Sequence, residues 1–330
     1  MSSPLDQLSA GALDWLGDHL DHFDPFSGSA PSATHAPAKA ALELALLCHC
    51  AARLDRPPDS LGGATALVRT LWQHPGLPPL LDAHPGHAPS YRLIYAALAP
   101  DGIDDTYRRA TLARLPAGFL SPDGKSPYQR IEIRYYADKA GVRHGIEPYA
   151  ELAPHSPLVA FRPPAPESAP GNVPGEVPGD EAGGVPGDAA VNGTAPLTAP
   201  QAYALTHAGF YLGDFGRARP ALAGGALAHA RDLVDRMLTH CVEHDRWDLA
   251  AELVLTQFIL GLDPLRTLSG AAAVECLAHA QRPDGAIPGR SAALAATGAP
   301  TGGKFFRLAY HTTLVTALMA LTVSAAGRPS

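Results

Sequence analysis

The stretch KAALELALLCHCAARL, residues 39–54, indicates the fold class, because it is a long run with a strong helical pattern and no proline or glycine. Comparable segments recur on both sides of it, separated by short Pro/Gly turns and with few alternating runs of β-branched residues. The further helix candidates are residues 63–74, 89–98, 103–115, 127–140, 200–213, 221–244, 246–262, 265–281 and 304–323. The pattern predicts an all-α protein.

One segment interrupts the helical pattern. Residues 163–200 read PPAPESAPGNVPGEVPGDEAGGVPGDAAVNGTAPLTAP and contain hardly any large apolar side chain. Such a segment cannot bury enough surface to offset the entropy lost on ordering. We therefore predict a disordered, acidic Pro/Gly-rich insertion at 163–200. It divides one overall domain into an N-terminal helical half, residues 1–162, and a C-terminal helical half, residues 201–330.

A Pro-Asp-Gly tripeptide follows helix-like segments at residues 100–102, 122–124 and 283–285. Either this is a favourable turn and no more, or it marks a degenerate repeat of helical hairpins. The last copy lies in HAQRPDGAIPG, residues 279–289, which resembles the turns between helices of the α/α-toroid superfamily. The resemblance implies helical hairpins arranged as an α/α toroid or a curved superhelix.

The net charge, the apolar stretches and the cysteine content restrict the possible partners and the location of the protein. The formal net charge is −7, whereas nucleic-acid-binding proteins usually carry a basic patch. No N-terminal signal peptide is recognisable, and residues 312–326, the most apolar stretch, are too short for a membrane span. The 4 cysteines form no C-x-x-C pair, which favours reduced thiols. We expect a cytoplasmic protein that binds neither nucleic acid nor membrane.

The first candidate site lies in THAGFYLGDFG, residues 206–216. His207 and Asp214 are seven residues apart, so two helical turns bring them towards one face, with Tyr211 between them. A carboxylate at a helix end beside aromatic rings can act as an acid, a base or a ligand anchor. The alternative is that His207 is a core histidine and Asp214 caps the next helix.

The second candidate is a pair of carboxylates on one helix. Asp248 and Glu252 have i, i+4 spacing in RWDLAAELVL, and like charges that share a buried face raise the pKa of at least one of them. A raised carboxyl pKa suits a general acid. The alternative is that Asp248 stabilises the helix N-terminus while Glu252 pairs with an arginine.

Two further segments add candidates. Tyr310, His311 and Thr312 open an apolar helix, where the histidine is either structural or completes a site with His207 and the carboxylates. Such a set could bind Zn²⁺ or Fe²⁺, but no metal-binding spacing supports this, and we predict no metal and no cofactor. Arg134 lies in YQRIEIRYYADKA, a charged helix face that is either solvated or lines a ligand cleft.

Four motifs taken together suggest a family. THAGFYLGDFG, WDLAAEL, QRPDGAIPG and YHTTLV, with HFDPF and KAALELALL before them, resemble an uncharacterised family of all-helical actinobacterial proteins found near natural-product gene clusters. The resemblance brings no activity with it. It implies only that His207, Asp214, Glu252 and His311 fall within recurring motifs. The Pro/Gly-rich insertion departs from the family pattern.

These observations favour an enzyme of bacterial secondary metabolism that performs cyclisation, isomerisation or elimination by acid–base chemistry. Its substrate would be a small or peptide-derived molecule. The predicted catalytic residues are Asp214, Glu252, His207 and His311. The predicted substrate-binding residues are Tyr211, Asp248, Tyr310, Thr312 and Arg134. The alternative is a non-catalytic helical-repeat protein that binds a partner or carrier protein on a concave face; an enclosed cavity would favour catalysis, and an open groove would favour binding.

Overall fold

The computed structural model describes residues 3–28, 37–163, 195–289 and 302–326. Within these residues every regular element is an α-helix or a short 3-10 helix, which confirms the all-α prediction. Four single-turn helices occupy Leu20–Phe23, Leu77–Leu80, Tyr149–Leu152 and Pro157–Ala160. The longer helices are α1 (Pro4–Asp18), α2 (Pro37–Ala51), α3 (Gly62–Gln73), α4 (Ala88–Ala97), α5 (Thr106–Leu112), α6 (Pro127–Ala140), α7 (Ala199–Leu212), α8 (Gly224–Glu243), α9 (Trp247–Ile259), α10 (Leu268–Ala280) and α11 (Gly303–Ala326).

The start of α7 corrects one predicted boundary. Thr198 caps this helix by accepting a hydrogen bond from the backbone N–H of Gln201, and Pro200 lies in its first turn. The last residues of the predicted insertion therefore belong to a helix, because proline is favoured in a first turn as well as in a linker. The rest of the predicted insertion, residues 164–194, lies outside the described residues.

Six helices contact one another in a closed cycle around an interior cavity. Around this ring the order is α2, α4, α6, α7, α9 and α11, and α11 packs back against α2. Along the chain the ring helices alternate with α1, α3, α5, α8, α10 and the short helices after α6. The contacts among these six helices define the position of the cavity. The more specific expectation of an α/α toroid or a curved superhelix stays a prediction.

Contacts between α6 and α7 show that the two helices are parallel. The Tyr128 hydroxyl lies 3.3 Å from Nδ1 of His207, and the Tyr135 hydroxyl donates to Asp214 Oδ1 at 3.1 Å. Both pairs have a sequence separation of 79 residues, so the helices keep a constant register over two turns. Both N-termini therefore lie at the same end of the molecule.

The α7–α9 pair is also parallel and very closely packed. Thr206 donates a hydrogen bond to Glu252 in the middle of both helices, and Gly213 meets Ile259 at their ends. A Cβ atom added at Gly213 would lie 2.4 Å from Cγ2 of Ile259. Glycine is therefore required here by the close approach of the two backbones. This approach brings the polar side chains of α7 and α9 within reach of each other.

Helix α11, with 24 residues, is the longest helix of the described residues, and it is largely apolar. By length and composition alone it could cross a membrane, and 67% of its most apolar window is buried inside the protein. It packs against α1, α2 and α9. Its threonines are buried as well, and the side chain of Thr313 both accepts from and donates to the backbone of Ile287. Within this fold α11 serves as a core helix that carries His311 to the cavity.

Candidate active site

The ring encloses a cavity of about 160 Å³. Most of its wall is formed by aromatic and aliphatic side chains, and six ionisable groups interrupt this wall. The aromatic members are Tyr91, Tyr128, Tyr136, Tyr203, Phe210, Tyr211 and Phe215, and the acidic and basic members are Lys39, Glu43, Glu132, His207, Glu252 and His311. An enclosed apolar space with a few convergent polar groups is the usual form of a small-molecule site.

Glu252 is the most deeply buried of these charged residues, with 1% of its surface exposed. Its Oε2 accepts a hydrogen bond from the Thr206 hydroxyl at 2.5 Å. Its Oε1 lies 3.7 Å from Nε2 of His207 and 3.7 Å from Nε2 of His311. A buried carboxylate is costly unless it is paired, and here two imidazoles from two other helices supply the pairing.

The ionisation of Glu252 differs from the sequence prediction. Burial opposes its charge, but His207 and His311 outweigh this and lower the pKa of Glu252 to about 2. The expected increase in pKa from a repulsive contact with Asp248 is wrong, because the Asp248 carboxylate instead accepts a hydrogen bond from Tyr203. Glu252 is therefore a permanent anion at neutral pH and is unsuited to the role of general acid.

His311 lies between two carboxylates. Its Nδ1 is 3.3 Å from Oε1 of Glu43, and its Nε2 faces Glu252. Burial disfavours the charged imidazole, but the negative charges of Glu43 and Glu252 raise the pKa of His311 to about 10. Glu43 responds in the opposite sense: burial would raise its pKa, yet His311 and Lys39 lower it. At neutral pH this part of the cavity holds a fixed imidazolium between two carboxylates.

His207 has a different environment on its two ring nitrogens. Nε2 faces Glu252, while Nδ1 lies 3.3 Å from the hydroxyl of Tyr128. A quarter of the side chain, 25%, remains accessible, and because His207 lines the cavity this surface is available to a molecule inside it. The arrangement resembles a carboxylate–histidine pair, in which the carboxylate orients the ring and stabilises the imidazolium that forms on proton uptake.

Together these contacts form a row across the cavity wall that we call the ionisable row. Its members in order are Lys39, Glu43, His311, Glu252, His207 and Tyr128, joined by distances of 3.9, 3.3, 3.7, 3.7 and 3.3 Å. The distances of 3.7 and 3.9 Å exceed hydrogen-bond length, so these neighbours stabilise one another as ion pairs through their opposite charges. Among the residues that the structure describes, no group of three or more His, Cys, Asp or Glu could hold a metal ion.

Asp214 does not belong to the cavity, which corrects the prediction of one site with four catalytic residues. Arg53 contacts both of its carboxylate oxygens, and Lys139 Nζ lies 2.9 Å from Oδ1. Asp214 and Arg53 line an outer pocket of about 330 Å³ at the C-terminal ends of α2, α7, α9 and α11. Burial would raise the pKa of Asp214, but Arg53 and Lys139 hold it well below its usual range. His207 and Asp214 both face α6, as their spacing predicted, but two helical turns separate them along the chain, and they line different pockets.

Two predicted binding residues lie at or beside the cavity. Tyr211 lines it, and its hydroxyl is 3.5 Å from Oε1 of Glu132. Asp248 lies behind Tyr203, a lining residue that donates a hydrogen bond to it. The i, i+4 spacing correctly placed Asp248 on the same side of α9 as Glu252, but one turn of helix separates it from the cavity.

Three other predicted binding residues have structural contacts instead. Arg134 donates to the carbonyls of Ile146 and Glu147 at 2.8 and 3.0 Å, and so fixes the loop after α6. Tyr310 packs against Phe23 and other aromatic rings, and its side chain hydrogen-bonds Glu43 behind the cavity wall, while Thr312 is buried. Neighbouring positions on a helix point about 100° apart, so of the three consecutive residues only His311 faces the cavity.

The ionisable row also contains three residues that the sequence predictions did not include, Lys39, Glu43 and Tyr128. Glu43 is the single charged residue in AALELALL, and Tyr128 opens the segment that contains Arg134. Glu43 could have been found by the criterion that singled out Glu252, a lone carboxylate in an apolar helix. Tyr128 carried no such signal, because tyrosine is common in protein cores.

Comparisons with known proteins give a family but no activity. No curated protein matches the chain. The model of one family, described as a domain of unknown function, DUF6895, matches residues 9–321. This match covers five of the six ring helices in full, α11 as far as residue 321, and every member of the ionisable row. The chain therefore belongs to the DUF6895 family, a family of unknown function.

Proposed function

We propose that the cavity is the active site of an enzyme that performs acid–base chemistry on a small, largely apolar molecule. The observation that carries the proposal is the position of His207. One of its ring nitrogens faces a buried anion, Glu252, and the other faces Tyr128 on the cavity wall. A group that exchanges protons with a substrate must reach the substrate and must be stabilised in both protonation states.

The members of the ionisable row have distinct roles in this proposal. His207 accepts a proton from the substrate or returns one to it. Glu252 remains an anion, holds the ring of His207 in place and stabilises its protonated form. His311 remains a cation and supplies a fixed positive charge to an oxyanion or enolate that forms in the cavity. Glu43 keeps His311 charged by pairing with it.

The wall of the cavity limits the class of substrate. Its aromatic and aliphatic residues favour a molecule with an apolar or aromatic body, and its ionisable groups are concentrated in one row. A cavity of about 160 Å³ suits a small molecule better than a folded partner or a long peptide. The burial of Glu252, which is only 1% exposed, supports catalysis over the alternative of a protein that binds a carrier on a concave face.

The reaction class follows from the residues of the ionisable row. A histidine base beside a fixed imidazolium suits elimination, isomerisation or cyclisation initiated by removal of a carbon-bound proton. We propose that this reaction serves bacterial secondary metabolism, on a small or peptide-derived intermediate. This setting rests on the motifs in residues 206–216 and 310–315 and on their resemblance to the actinobacterial proteins.

The capacity for proton abstraction can be tested with 5-nitrobenzisoxazole, a neutral aromatic probe. A base removes the proton on C3, the electron pair completes a nitrile triple bond, and the N–O bond breaks to give a coloured phenolate. We expect the wild-type protein to accelerate this elimination and His207→Gln to reduce the rate at least about 10-fold, as loss of a general base does. The absorbance of the phenolate measures both rates.

Asp214→Asn provides the matched control, since it removes a buried carboxylate outside the cavity. We expect this variant to keep the wild-type rate of elimination. Equal rates for the wild type and His207→Gln would refute the proposal that His207 is the base. Equal losses in His207→Gln and Asp214→Asn would place the reaction outside the cavity.

A further inference from the structure

The turn after α7 has an unusual backbone. Asp214, Phe215 and Gly216 have φ values of 44°, 52° and 93°, so three consecutive residues adopt the left-handed region. Aspartate and glycine tolerate this region, but a bulky phenylalanine rarely adopts it. A strained conformation persists only where the surrounding structure enforces it, and such strain is concentrated at functional positions.

The carboxylate of Asp214 enforces this turn. Arg53 donates to both of its oxygens, Lys139 lies 2.9 Å from Oδ1, and Tyr135 donates a hydrogen bond at 3.1 Å. These three residues lie on or just after two ring helices other than α7, α2 and α6. The turn is therefore fixed from outside, independently of the helix that leads into it.

The contacts of Asp214 with Arg53, Lys139 and Tyr135, which we call the Asp214 clamp, fix the position of Phe215. Its side chain lines the cavity on one side and the outer pocket on the other, and the residue is only 4% exposed. Its ring stacks on Phe210 with a centroid distance of 5.2 Å and an interplanar angle of 29°. One aromatic side chain thus stands between the two spaces, in a conformation that its own backbone disfavours.

We propose that Phe215 is a specificity-determining partition that sets the length of the ligand, and that the outer pocket is the second half of one channel. This inference rests on the proposed function of the cavity as a small-molecule site. The apolar body of a ligand occupies the cavity, beside His207. A tail that extends past Phe215 would enter the outer pocket, whose wall includes Phe258, Arg53 and Arg217. The ligand class is an aromatic head with a linear alkyl tail.

The test uses 4-alkylphenols of increasing chain length as probes, with affinities measured by calorimetry. Each buried methylene adds roughly fourfold in affinity until the tail reaches a wall. We expect the wild-type affinity to rise with chain length and then to fall sharply. In Phe215→Ala the fall should move to chains that are longer by at least about two methylenes, so that the first excluded phenol of the wild type binds more than about 10-fold tighter.

Phe258→Ala is the matched control, since Phe258 lines only the outer pocket. We expect this variant to keep the wild-type chain-length limit. If Phe215→Ala does not fold, Phe215→Leu shortens the side chain less severely and should shift the limit in the same direction. An unchanged chain-length limit in the folded Phe215 variants would refute the partition. An equal shift in Phe258→Ala would show that looser packing of the protein in general, and not Phe215, moves the limit.

The same experiment separates failure of this inference from failure of the proposed function. Binding of the short phenols by the wild type supports the cavity as a ligand site, whatever the long phenols do. An absence of binding by every phenol in every variant would overturn both the channel and the cavity as a small-molecule site. Elimination of 5-nitrobenzisoxazole, which has no tail, tests His207 without involving Phe215.

Discussion

Two carboxylates of this protein, the half-buried Asp214 and the buried Glu252, pair with different kinds of basic residue. Asp214 contacts Arg53 and Lys139, which stay charged at all ordinary pH values, and its contacts have hydrogen-bond length. Glu252 faces two histidines at 3.7 Å, and both histidines line the cavity. Both carboxyl pKa values are lowered, but for different reasons.

The difference shows how the partner of a buried carboxylate decides its role. A guanidinium or an ammonium group fixes a carboxylate permanently, so the Asp214 cluster stabilises a turn. An imidazole can bind or release a proton, so His207 gives the Glu252 cluster a group that can exchange protons with a ligand. Both carboxylates were predicted from the sequence to be catalytic, and only their partners on other helices distinguish their roles.

The largest effect on stability is expected from Glu252→Gln. Breaking a buried ion pair costs about 3–5 kcal/mol, and we expect this loss in the free energy of unfolding at pH 7. Because the pKa of Glu252 is lowered to about 2, its contribution is fully present above pH 4.5 and is lost as the pH falls towards 2. Chemical denaturation of both proteins at pH 7 and pH 3 measures the difference.

Asp248→Asn on the same helix is the control for Glu252→Gln. It replaces a half-buried carboxylate that has a tyrosine partner, and we expect a cost of about 1 kcal/mol. If Glu252→Gln left stability unchanged at pH 7, the pairing with His207 and His311 would be refuted. A loss that did not shrink between pH 7 and pH 3 would contradict the lowered pKa.

The second effect is a loss of stability at alkaline pH. The pKa of His311 is raised to about 10, so its contribution is complete below pH 6.5 and is lost as the pH rises through 10. One pKa unit corresponds to about 1.4 kcal/mol, and the shift is shared with Glu43 and Glu252, so we expect a loss of about 2–4 kcal/mol. Denaturation curves between pH 6.5 and pH 10 measure it.

Buried cysteines also lower the stability in this range, because burial raises the pKa of the Cys50 thiol to about 12 in the folded protein, whereas the thiol of an unfolded chain ionises near about pH 8.5. The relevant quantity is therefore the difference between the wild type and His311→Gln, which share the cysteines. We expect the variant to lack the part of the alkaline loss that is due to His311. Parallel pH profiles for the two proteins would show that His311 is not held in its charged form.

Asp214→Asn should have an intermediate effect. Asparagine tolerates the left-handed backbone as aspartate does, so the substitution removes the charge and leaves the turn possible. Hydrogen bonds to charged groups contribute about 1.5–3 kcal/mol, and the side chain is 26% exposed, so we expect a loss of about 1–3 kcal/mol. Thermal denaturation measures it, and an unchanged stability would show that the clamp does not enforce the turn.

The smallest effect is expected from Tyr128→Phe. It removes one hydroxyl from Nδ1 of His207, and a single hydrogen bond contributes about 0.5–1.5 kcal/mol. We expect a slower elimination of 5-nitrobenzisoxazole, with a smaller loss than in His207→Gln. Tyr136→Phe, which alters another tyrosine of the cavity wall, is the control. An equal reduction in both variants would show that Tyr128 acts through the shape of the cavity.

The sequence by itself determined the all-α class and most of the helices, because helical periodicity and capping signals are local properties of the chain. It also singled out His207, Glu252 and His311 as candidate site residues, since an ionisable residue in an apolar helix must find a partner. The same argument selected Asp214. Tyr310 and Thr312 were included because they flank His311, and Arg134 was included because it lies on a charged helix face.

Only the tertiary structure decided which of these residues meet. The parallel register of α7 and α9 brings Thr206 to Glu252, and the packing of α2 against α11 brings Glu43 to His311. The lowered pKa of Glu252 is likewise a property of the assembled site, because burial alone would have raised it. Contacts between helices far apart in the sequence leave no local pattern, so the ionisable row and the Asp214 clamp exist only in the folded protein.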